Sequence, residues 1–518
     1  MIGTSLGEWI LIRLTILLFR YTPLLYVALL AALCLGHGVI PWNSTAARTL
    51  CALLASEALF YAFVWIPYTR RLRQPASHPA PLSPSARSDL FRRCMANVAN
   101  PESYLRGWFL GADIDDIGHQ NVREFLLWAF FDMSEADALI SPHREAISAE
   151  LDDYVAIAEA RLGRPLGPGR GSAQSLRLTL DRIDTAYRSL AWYVVILAVD
   201  HASHVAMSWH GFRYYARAPA AAANTFPPRP LELLARRRSP APGLGYWYHP
   251  HQSGQDDLPV LFFHGIGIGL WTYVRFLTDL RAASKPGANG RGRGVIAVEI
   301  LSVSFRLTPP VLGKADFLQE MASILDHHSG WDKFTMVSHS YGSVPSTHVL
   351  LSPTLGPRVP SVVLVDPVTV MLHMPGVAYN FTRRRPRQAN EWQLWYFAST
   401  DPGVAHCLGR HFFWRENIIW KEDLLSCGGK DSVARKAVVF LAGRDLIVDA
   451  AAVAQYLGEE QATSSENGRV GAVHHKNSHG RTGKVDVIVS PNLDHAQIFD
   501  RRLDHRRLIE IVGRHCRG

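Results

Sequence analysis

A serine lies at a sharp turn within the segment FTMVSHSYGSV, residues 334–344. An apolar, β-branched run leads into Ser340, and the residues after it can continue as a helix. Such a strand-to-helix turn presents a serine hydroxyl away from competing hydrogen bonds, and it requires small residues two positions to either side. Ser338 and Gly342 occupy those positions, so the motif is S-x-S-x-G where G-x-S-x-G is usual. The segment predicts that Ser340 is a nucleophile.

A serine nucleophile needs a base to remove its proton and an acid to orient that base. Both residue types follow Ser340 along the chain, each in a loop after an apolar run: Asp445 after AVVFLAG and His495 after VDVIV. We predict that His495 takes the proton from Ser340 and that Asp445 fixes the imidazole tautomer. Asp366, at the end of the run SVVLV, is the alternative acid.

A glycine-rich loop follows the apolar run VLFF, upstream of the serine. The loop begins with His264, Gly265 and Gly267. Glycines allow backbone N–H groups to approach an anion, so we predict an oxyanion hole formed by the N–H groups of Ile266 and Tyr341. A dinucleotide-binding fingerprint would place its third glycine at Leu270, and no Gly-Lys-Ser/Thr follows, so a phosphate-binding loop is disfavoured.

Residues 243–518 resemble an α/β-hydrolase domain through the motifs HGIGIG, SHSYGS, GRD and DHAQ, each of which follows an apolar run. The resemblance implies a mostly parallel sheet with helices on both faces, a Ser-His-Asp triad and no cofactor. Unbroken apolar runs are typical of strands that are buried on both faces. We expect strands near 244–249, 258–263, 295–300, 334–338, 361–366, 437–442 and 485–489.

The excursion near 368–436 is longer than the hydrolase core needs, and in this fold such an insertion usually forms a helical lid. It is rich in Trp, Phe and Tyr and contains Arg383, Arg384, Arg385 and Arg387. One interpretation is an apolar acyl pocket or membrane-facing surface, with the arginines at lipid phosphates. The other is an ordinary packed lid with a solvated basic edge.

The first 73 residues predict a membrane anchor. Two apolar stretches, near 24–40 and 49–66, are each close to the length of a transmembrane helix, and Glu57 is the acidic exception in the second. The stretch 9–19 contains Arg13 and suits an interfacial helix better. Basic residues flank the pair on both outer sides, so the positive-inside rule predicts a hairpin with both flanks, and therefore the hydrolase domain, in the cytosol. The endoplasmic reticulum is the favoured organelle.

The remaining segments are predicted from composition and periodicity. We expect Pro-rich linkers at 74–88 and 217–242, a helical region at 89–216 without assigned chemistry, and a disordered polar insert near 459–484. Six scattered cysteines indicate no disulfide framework. The net charge is +9, yet no nucleic-acid recognition module and no complete set of metal ligands occur, so neither partner is expected.

These observations together predict a membrane-anchored serine hydrolase that cleaves carboxylic esters, most of all lipid-like ones, through an acyl-enzyme. The lipid assignment depends on the anchor and the aromatic insertion. Two alternatives stay open: an acyltransferase on the same fold, or a membrane scaffold whose hydrolase domain is inactive.

Overall fold

The computed structural model describes residues 2–37, 42–252, 257–283, 292–427, 434–458, 475–476, 482–483 and 485–517. The strands are β1 Arg213–Tyr215, β2 Gly245–His249, β3 Val260–Phe263, β4 Val295–Glu299, β5 Thr335–His339, β6 Ser361–Val365, β7 Lys436–Ala442, β8 His475–Lys476, β9 Thr482–Gly483 and β10 Val485–Ser490. Strands β8 and β9 form a separate antiparallel pair.

Eight strands form one sheet in the order β1-β2-β4-β3-β5-β6-β7-β10. Strand β2 is antiparallel to both β1 and β4, whereas all the other neighbours are parallel. Alternate side chains of a strand point to opposite faces, and on β3 Leu261 and Phe263 enter one apolar core while Val260 and Phe262 enter another. Burial on both faces explains why these strands are unbroken apolar runs.

The helices before the sheet are α1 Leu6–His37, α2 Thr45–Phe60, α3 Ile66–Arg71, α4 Pro84–Ala96, α5 Pro101–Trp108, α6 His119–Phe131, α7 Glu135–Ile140, α8 Arg144–Leu162 and α9 Leu190–Trp209. Those interleaved with the strands are α10 Pro219–Ala223, α11 Pro230–Leu233, α12 Val274–Ala282, α13 Lys314–Asp326, α14 Ser343–Leu351, α15 Pro375–Thr382, α16 Ala389–Leu394, α17 Pro402–Arg410, α18 Trp414–Asn417, α19 Lys421–Leu425, α20 Ala450–Gly458 and α21 Arg502–His515.

Shorter helical turns connect these elements. They are of the 3₁₀ type at Ile114–Asp116, Trp271–Tyr273, Leu301–Val303, Ser340–Gly342, Gly356–Arg358 and Gln497–Phe499, and of the π type at Tyr61–Trp65 and Trp395–Ser399.

Each of the seven expected strands is present within two residues of its expected ends. Strand β1 was not expected, because it lies inside the predicted helical region and its three residues give no clear alternation. The segment 217–242, expected as a linker, contains two short helices and buried ion pairs: Arg217 with Glu232 at 2.7 Å, and Arg229 with Glu299 at 2.8 Å. The sheet and its supports therefore begin near residue 213 and not at 243.

The N-terminal hairpin differs in detail from the expected spans. Helix α1 runs from Leu6 to His37 but is interrupted by a kink at Tyr21, whose backbone angles are not helical, two residues before Pro23. By length and composition three helical stretches of the described chain could cross a membrane: Leu6–Leu35, Thr45–Arg71 and Leu190–Trp209.

The two halves of α1 lie in different surroundings. The first half packs on α16, where Ile12 and Ile16 are buried and the Arg13 guanidinium lies 3.9 Å from the centre of the Trp392 ring. Leucines of the second half such as Leu24 and Leu35 are exposed, at 63% and 87%. Leu11 and Leu14 of the first half are exposed as well, at 62% and 60%, so only one side of that half packs on α16.

The remaining predicted segments are placed as follows. Within 89–216 the helices pack around buried aromatic rings. The excursion at 368–436 contains helices α15 to α19, and we call it the insertion from here on. The expected disordered insert near 459–484 lies, apart from β8 and β9, outside the described residues.

Candidate active site

Ser340 follows β5 directly and adopts a left-handed backbone conformation with φ of 52°. Residues with a Cβ rarely take this conformation, and it places the hydroxyl at the tip of the turn. A Cβ at Gly342 would lie 2.3 Å from the Phe263 carbonyl oxygen, and one at Gly265 would lie 2.9 Å from the Ser340 Cβ. The turn therefore requires glycine at both positions, whereas Ser338 is accommodated as a fully buried residue of β5.

The structure brings Ser340, His495 and Asp445 together in one line of hydrogen bonds. Nδ1 of His495 lies 2.7 Å from Oδ2 of Asp445, and Nε2 lies 2.8 Å from Oγ of Ser340. A carboxylate only accepts, so Nδ1 donates to Asp445 and Nε2 is left to accept the serine proton. The second oxygen of Asp445 accepts from the N–H groups of Ile447 and Val448 at 2.7 and 3.0 Å, which fixes the carboxylate.

Asp366, the alternative acid, lies beside this line but makes different contacts. Its two oxygens accept from the backbone N–H groups of Ala442 at 2.8 Å and Ala496 at 3.1 Å. It thereby joins the end of β7 to the loop of His495. On geometry the acid bonded to the imidazole is Asp445, and Asp366 is a buried carboxyl behind it.

The carboxyl groups determine the electrostatics of the histidine. Burial disfavours the charged imidazole, but the charge and hydrogen bond of Asp445, reinforced by Asp366, raise the pKa of His495 to about 9. Burial, together with the charge of Asp445, raises the pKa of Asp366 to about 7. The site is therefore arranged to stabilise an imidazolium ion.

The expected oxyanion loop lies against the serine. Ile266, Ser340 and Tyr341 all line one cavity. His264 fixes the loop. Its Nδ1 donates to the Gly265 carbonyl at 2.8 Å, and its Nε2 accepts from the Ile300 N–H at 2.9 Å. The N–H of Gly267 donates to a backbone carbonyl at 3.1 Å, whereas that of Ile266 has no acceptor in the described part of the chain. The Ile266 N–H is thus free to donate to a ligand.

The cavity at Ser340 contains about 660 Å³ of space between atoms, part of which is continuous with open solvent. Its lining is almost entirely apolar and comes from three parts of the chain. The sheet and its loops contribute Ile266, Tyr341 and Ile447. The insertion contributes Phe381, Phe412 and Trp414, and the helical region contributes Trp108, Trp128 and Leu178. The helical region, for which the sequence indicated no chemistry, therefore forms one wall of the cavity.

The arginines of the insertion are partly paired within the protein. Arg383 lies 3.1 Å from Asp181, and Arg384 lies 3.7 Å from Glu391. The side chain of Arg385 is exposed.

Two polar groups near the site were not found from the sequence. The hydroxyl of Tyr273 accepts from the Gly265 N–H at 3.2 Å and lies 2.7 Å from Nδ1 of His339. The amide of Asn390, on α16, donates to Asp494 at 2.6 Å. No local pattern could have indicated either contact, because each joins residues that are remote along the chain.

Within the described residues, one group of possible metal ligands comes together: His339, Asp366 and His495. His495 is already bonded to Ser340 and Asp445, so this group belongs to the same site.

No family model and no curated protein matches this chain. Among solved structures it is similar to a bacterial membrane phospholipase A (12% identity, TM-score 0.35, covering 63% of this chain and 94% of the other). It is also similar to naproxen esterase from Bacillus subtilis (13%, 0.31, 52% and 87%) and to an esterase of Pyrococcus furiosus (12%, 0.32, 53% and 88%). Likenesses this distant say nothing about the substrate of this chain.

The fold follows from the chain's own topology. A mostly parallel sheet is buried on both faces, a strained serine turn stands at the end of a strand, and an aspartate and then a histidine follow in chain order. This is the architecture of the α/β-hydrolase fold.

Proposed function

We propose that this protein is a membrane-attached serine hydrolase that cleaves carboxylic esters with a long apolar acyl group. The observation that carries the proposal is the pair of hydrogen bonds of His495, at 2.8 Å to Ser340 and 2.7 Å to Asp445, at the mouth of an apolar cavity. The first contact activates the serine, the second orients the base, and the cavity offers room for an acyl chain.

In the proposed mechanism Ser340 Oγ attacks the ester carbonyl carbon while Nε2 of His495 takes the hydroxyl proton. The carbonyl oxygen becomes an oxyanion, which the N–H groups of Ile266 and Tyr341 stabilise. The tetrahedral intermediate collapses, and the imidazolium gives its proton to the leaving alkoxide. Water, deprotonated by His495, then attacks the acyl-enzyme, and the carboxylic acid leaves as Ser340 regains its proton.

The lining of the cavity supports the proposed substrate class. Apart from Ser340 and Thr382 its side chains are aliphatic or aromatic, and Tyr341 directs its hydroxyl to Cys407 at 3.1 Å. Such a wall offers an acyl chain dispersion contacts and gives a charged group no partner. The insertion then acts as a lid, since α15 contributes Val377, Ala378 and Phe381 to the wall.

The N-terminal hairpin supports the proposed membrane attachment. The second half of α1 and most of α2 expose apolar side chains, and the flanking basic residues favour a cytosolic hydrolase domain. A lipid ester held in the adjacent leaflet would then be the natural substrate.

Labelling with a fluorophosphonate probe tests the reaction class. We expect the full-length protein in detergent or nanodiscs to be labelled, and Ser340→Ala to lose both labelling and esterase activity. Ser343→Ala is the matched control, because Ser343 lies three residues on and donates to the Ser340 carbonyl without reaching His495. Labelling that persists in Ser340→Ala would place the nucleophile elsewhere.

A further inference from the structure

The outer face of α9 carries an apolar stripe. Its members recur every three or four residues, which places them on one side of the helix. They are Val194, Ala198, Ala202, Val205 and Trp209, and we call them the α9 stripe. Val194, Val205 and Trp209 are 57%, 66% and 86% exposed in the described chain. Contiguous exposed apolar surface of this kind marks a surface that binds a partner or a membrane.

Helix α9 is fixed to the hydrolase domain by its opposite face. Asp200 points inward and lies 3.0 Å from both Arg229 and Arg306, and the three side chains are almost entirely buried. Met207, on the same inner face, is fully buried. A helix held by buried ion pairs cannot leave the domain without exposing unpaired charges. Although α9 is apolar and long enough to span a bilayer, it is therefore a surface helix of the domain.

The first turn of α9 adjoins the membrane hairpin. The Leu190 N–H donates to both carboxylate oxygens of Glu57 at 3.0 Å, and the Ser189 N–H donates to the Phe19 carbonyl at 3.1 Å. The Tyr193 ring lies 5.3 Å from that of Phe60. Glu57, the acidic exception in the second apolar stretch, thus caps α9 where the hairpin enters the domain.

The surroundings of the stripe match a bilayer surface. Trp209 ends the stripe, and Trp271, which is 44% exposed, stands on a turn that packs against α9. Tryptophan is enriched at the level of the lipid headgroups. Arg213, exposed on the strand that follows α9, could meet a lipid phosphate there.

We propose that the α9 stripe lies on the bilayer surface beside the hairpin, so that the hydrolase domain contacts lipid through α9 as well as through α1 and α2. The inference rests on the proposed membrane attachment but not on the proposed catalysis. The α9 stripe would then contact the acyl chains and headgroups of one leaflet and not another protein.

An environment-sensitive fluorophore on single cysteines tests the proposal. The background is the full chain with Cys34→Ser and Cys51→Ser, since the other four cysteines are buried. The probe positions are Val205→Cys on the stripe, Leu29→Cys in the hairpin, and Leu351→Cys on α14, where the leucine is 39% exposed and outside the three apolar helices. Each variant is reconstituted into vesicles with and without a quencher attached to the lipid acyl chain near the headgroup.

We expect the probes at positions 205 and 29 to be quenched by the lipid quencher, and the probe at 351 to resemble one in water. Quenching at 29 with a water-like, unquenched probe at 205 would overturn the proposal while leaving the anchor intact. A shielded but unquenched probe at 205 would also overturn it, because the stripe would then face protein. Loss of quenching at 29 would overturn the anchor and this proposal together. Hydrolysis of a soluble ester, measured on the same preparations, tests the catalytic proposal independently of membrane contact.

Discussion

The side-chain amide of Asn390 donates a hydrogen bond of 2.6 Å to the carboxylate of Asp494. The other oxygen of Asp494 accepts from the N–H groups of His495 at 2.7 Å and Leu446 at 3.1 Å. One carboxylate therefore joins helix α16 of the insertion to the loops that carry the proposed base and acid. Because α16 also packs on the first half of α1, the N-terminal helix, the insertion and the site form one connected structure.

The Asn390 contact predicts a positioning role. Asn390→Ala removes the amide and should let the His495 loop shift, so we expect kcat to fall by roughly 10- to 100-fold with little change in KM. Gln393→Ala is the matched control, because Gln393 belongs to the same helix and its side-chain oxygen accepts from the N–H of Ile2, which precedes α1. An equal loss in both variants, or a change confined to KM, would contradict the positioning role.

The two candidate acids predict different losses. Asp445→Asn should reduce kcat by about 10⁴-fold, because its amide can no longer hold the required imidazole tautomer. Asp366→Asn loses one of two backbone hydrogen bonds, so we expect a lower unfolding temperature and a much smaller fall in kcat. Steady-state kinetics and thermal unfolding of both proteins measure this difference, and the reverse ranking would make Asp366 the acid.

The raised pKa of His495 predicts the pH dependence of kcat/KM. The base must be neutral to take the serine proton, so the rate should rise with pH and level off above about 9, well above the ordinary histidine value of 6.5. Removing a nearby negative charge lowers the pKa of the imidazole, so Asp366→Asn should move the midpoint to lower pH. Asp326→Asn, which alters an exposed aspartate paired with Arg358, serves as the control and should leave the midpoint in place.

The cavity wall predicts acyl-chain selectivity. Leu178→Trp adds bulk to the wall contributed by the helical region, so it should reduce kcat/KM for long-chain esters at least about tenfold relative to short ones. Leu180→Trp adds the same bulk to a half-buried leucine that does not line the cavity. The ratio of rates on 4-nitrophenyl esters of different chain length is the measurement. An equal fall in kcat/KM for short-chain and long-chain esters would indicate that acyl groups do not reach Leu178.

Much of the hydrolase core could be predicted because its signals are local. The strands are short apolar runs, and the small residues around Ser340 reflect crowding that is visible in the geometry of Gly342 and Gly265. Strand β1 was not predictable, since three residues at a sheet edge give no periodic signal. The packing of the first half of α1 on α16 was not predictable either, because it joins segments almost 400 residues apart.

The sequence by itself determined which residue types were available and in what order: a serine at a tight turn, a glycine loop before it, and an aspartate and a histidine after it. Only the tertiary structure decided which of two acids contacts His495. Asp366 and Asp445 each follow an apolar strand. An oxygen of Asp445 contacts Nδ1 of His495, whereas the oxygens of Asp366 accept from backbone N–H groups. Likewise α9 is apolar by composition, but the buried ion pairs of Asp200 show which face the domain retains. Such choices depend on contacts between distant segments, and local patterns do not encode those contacts.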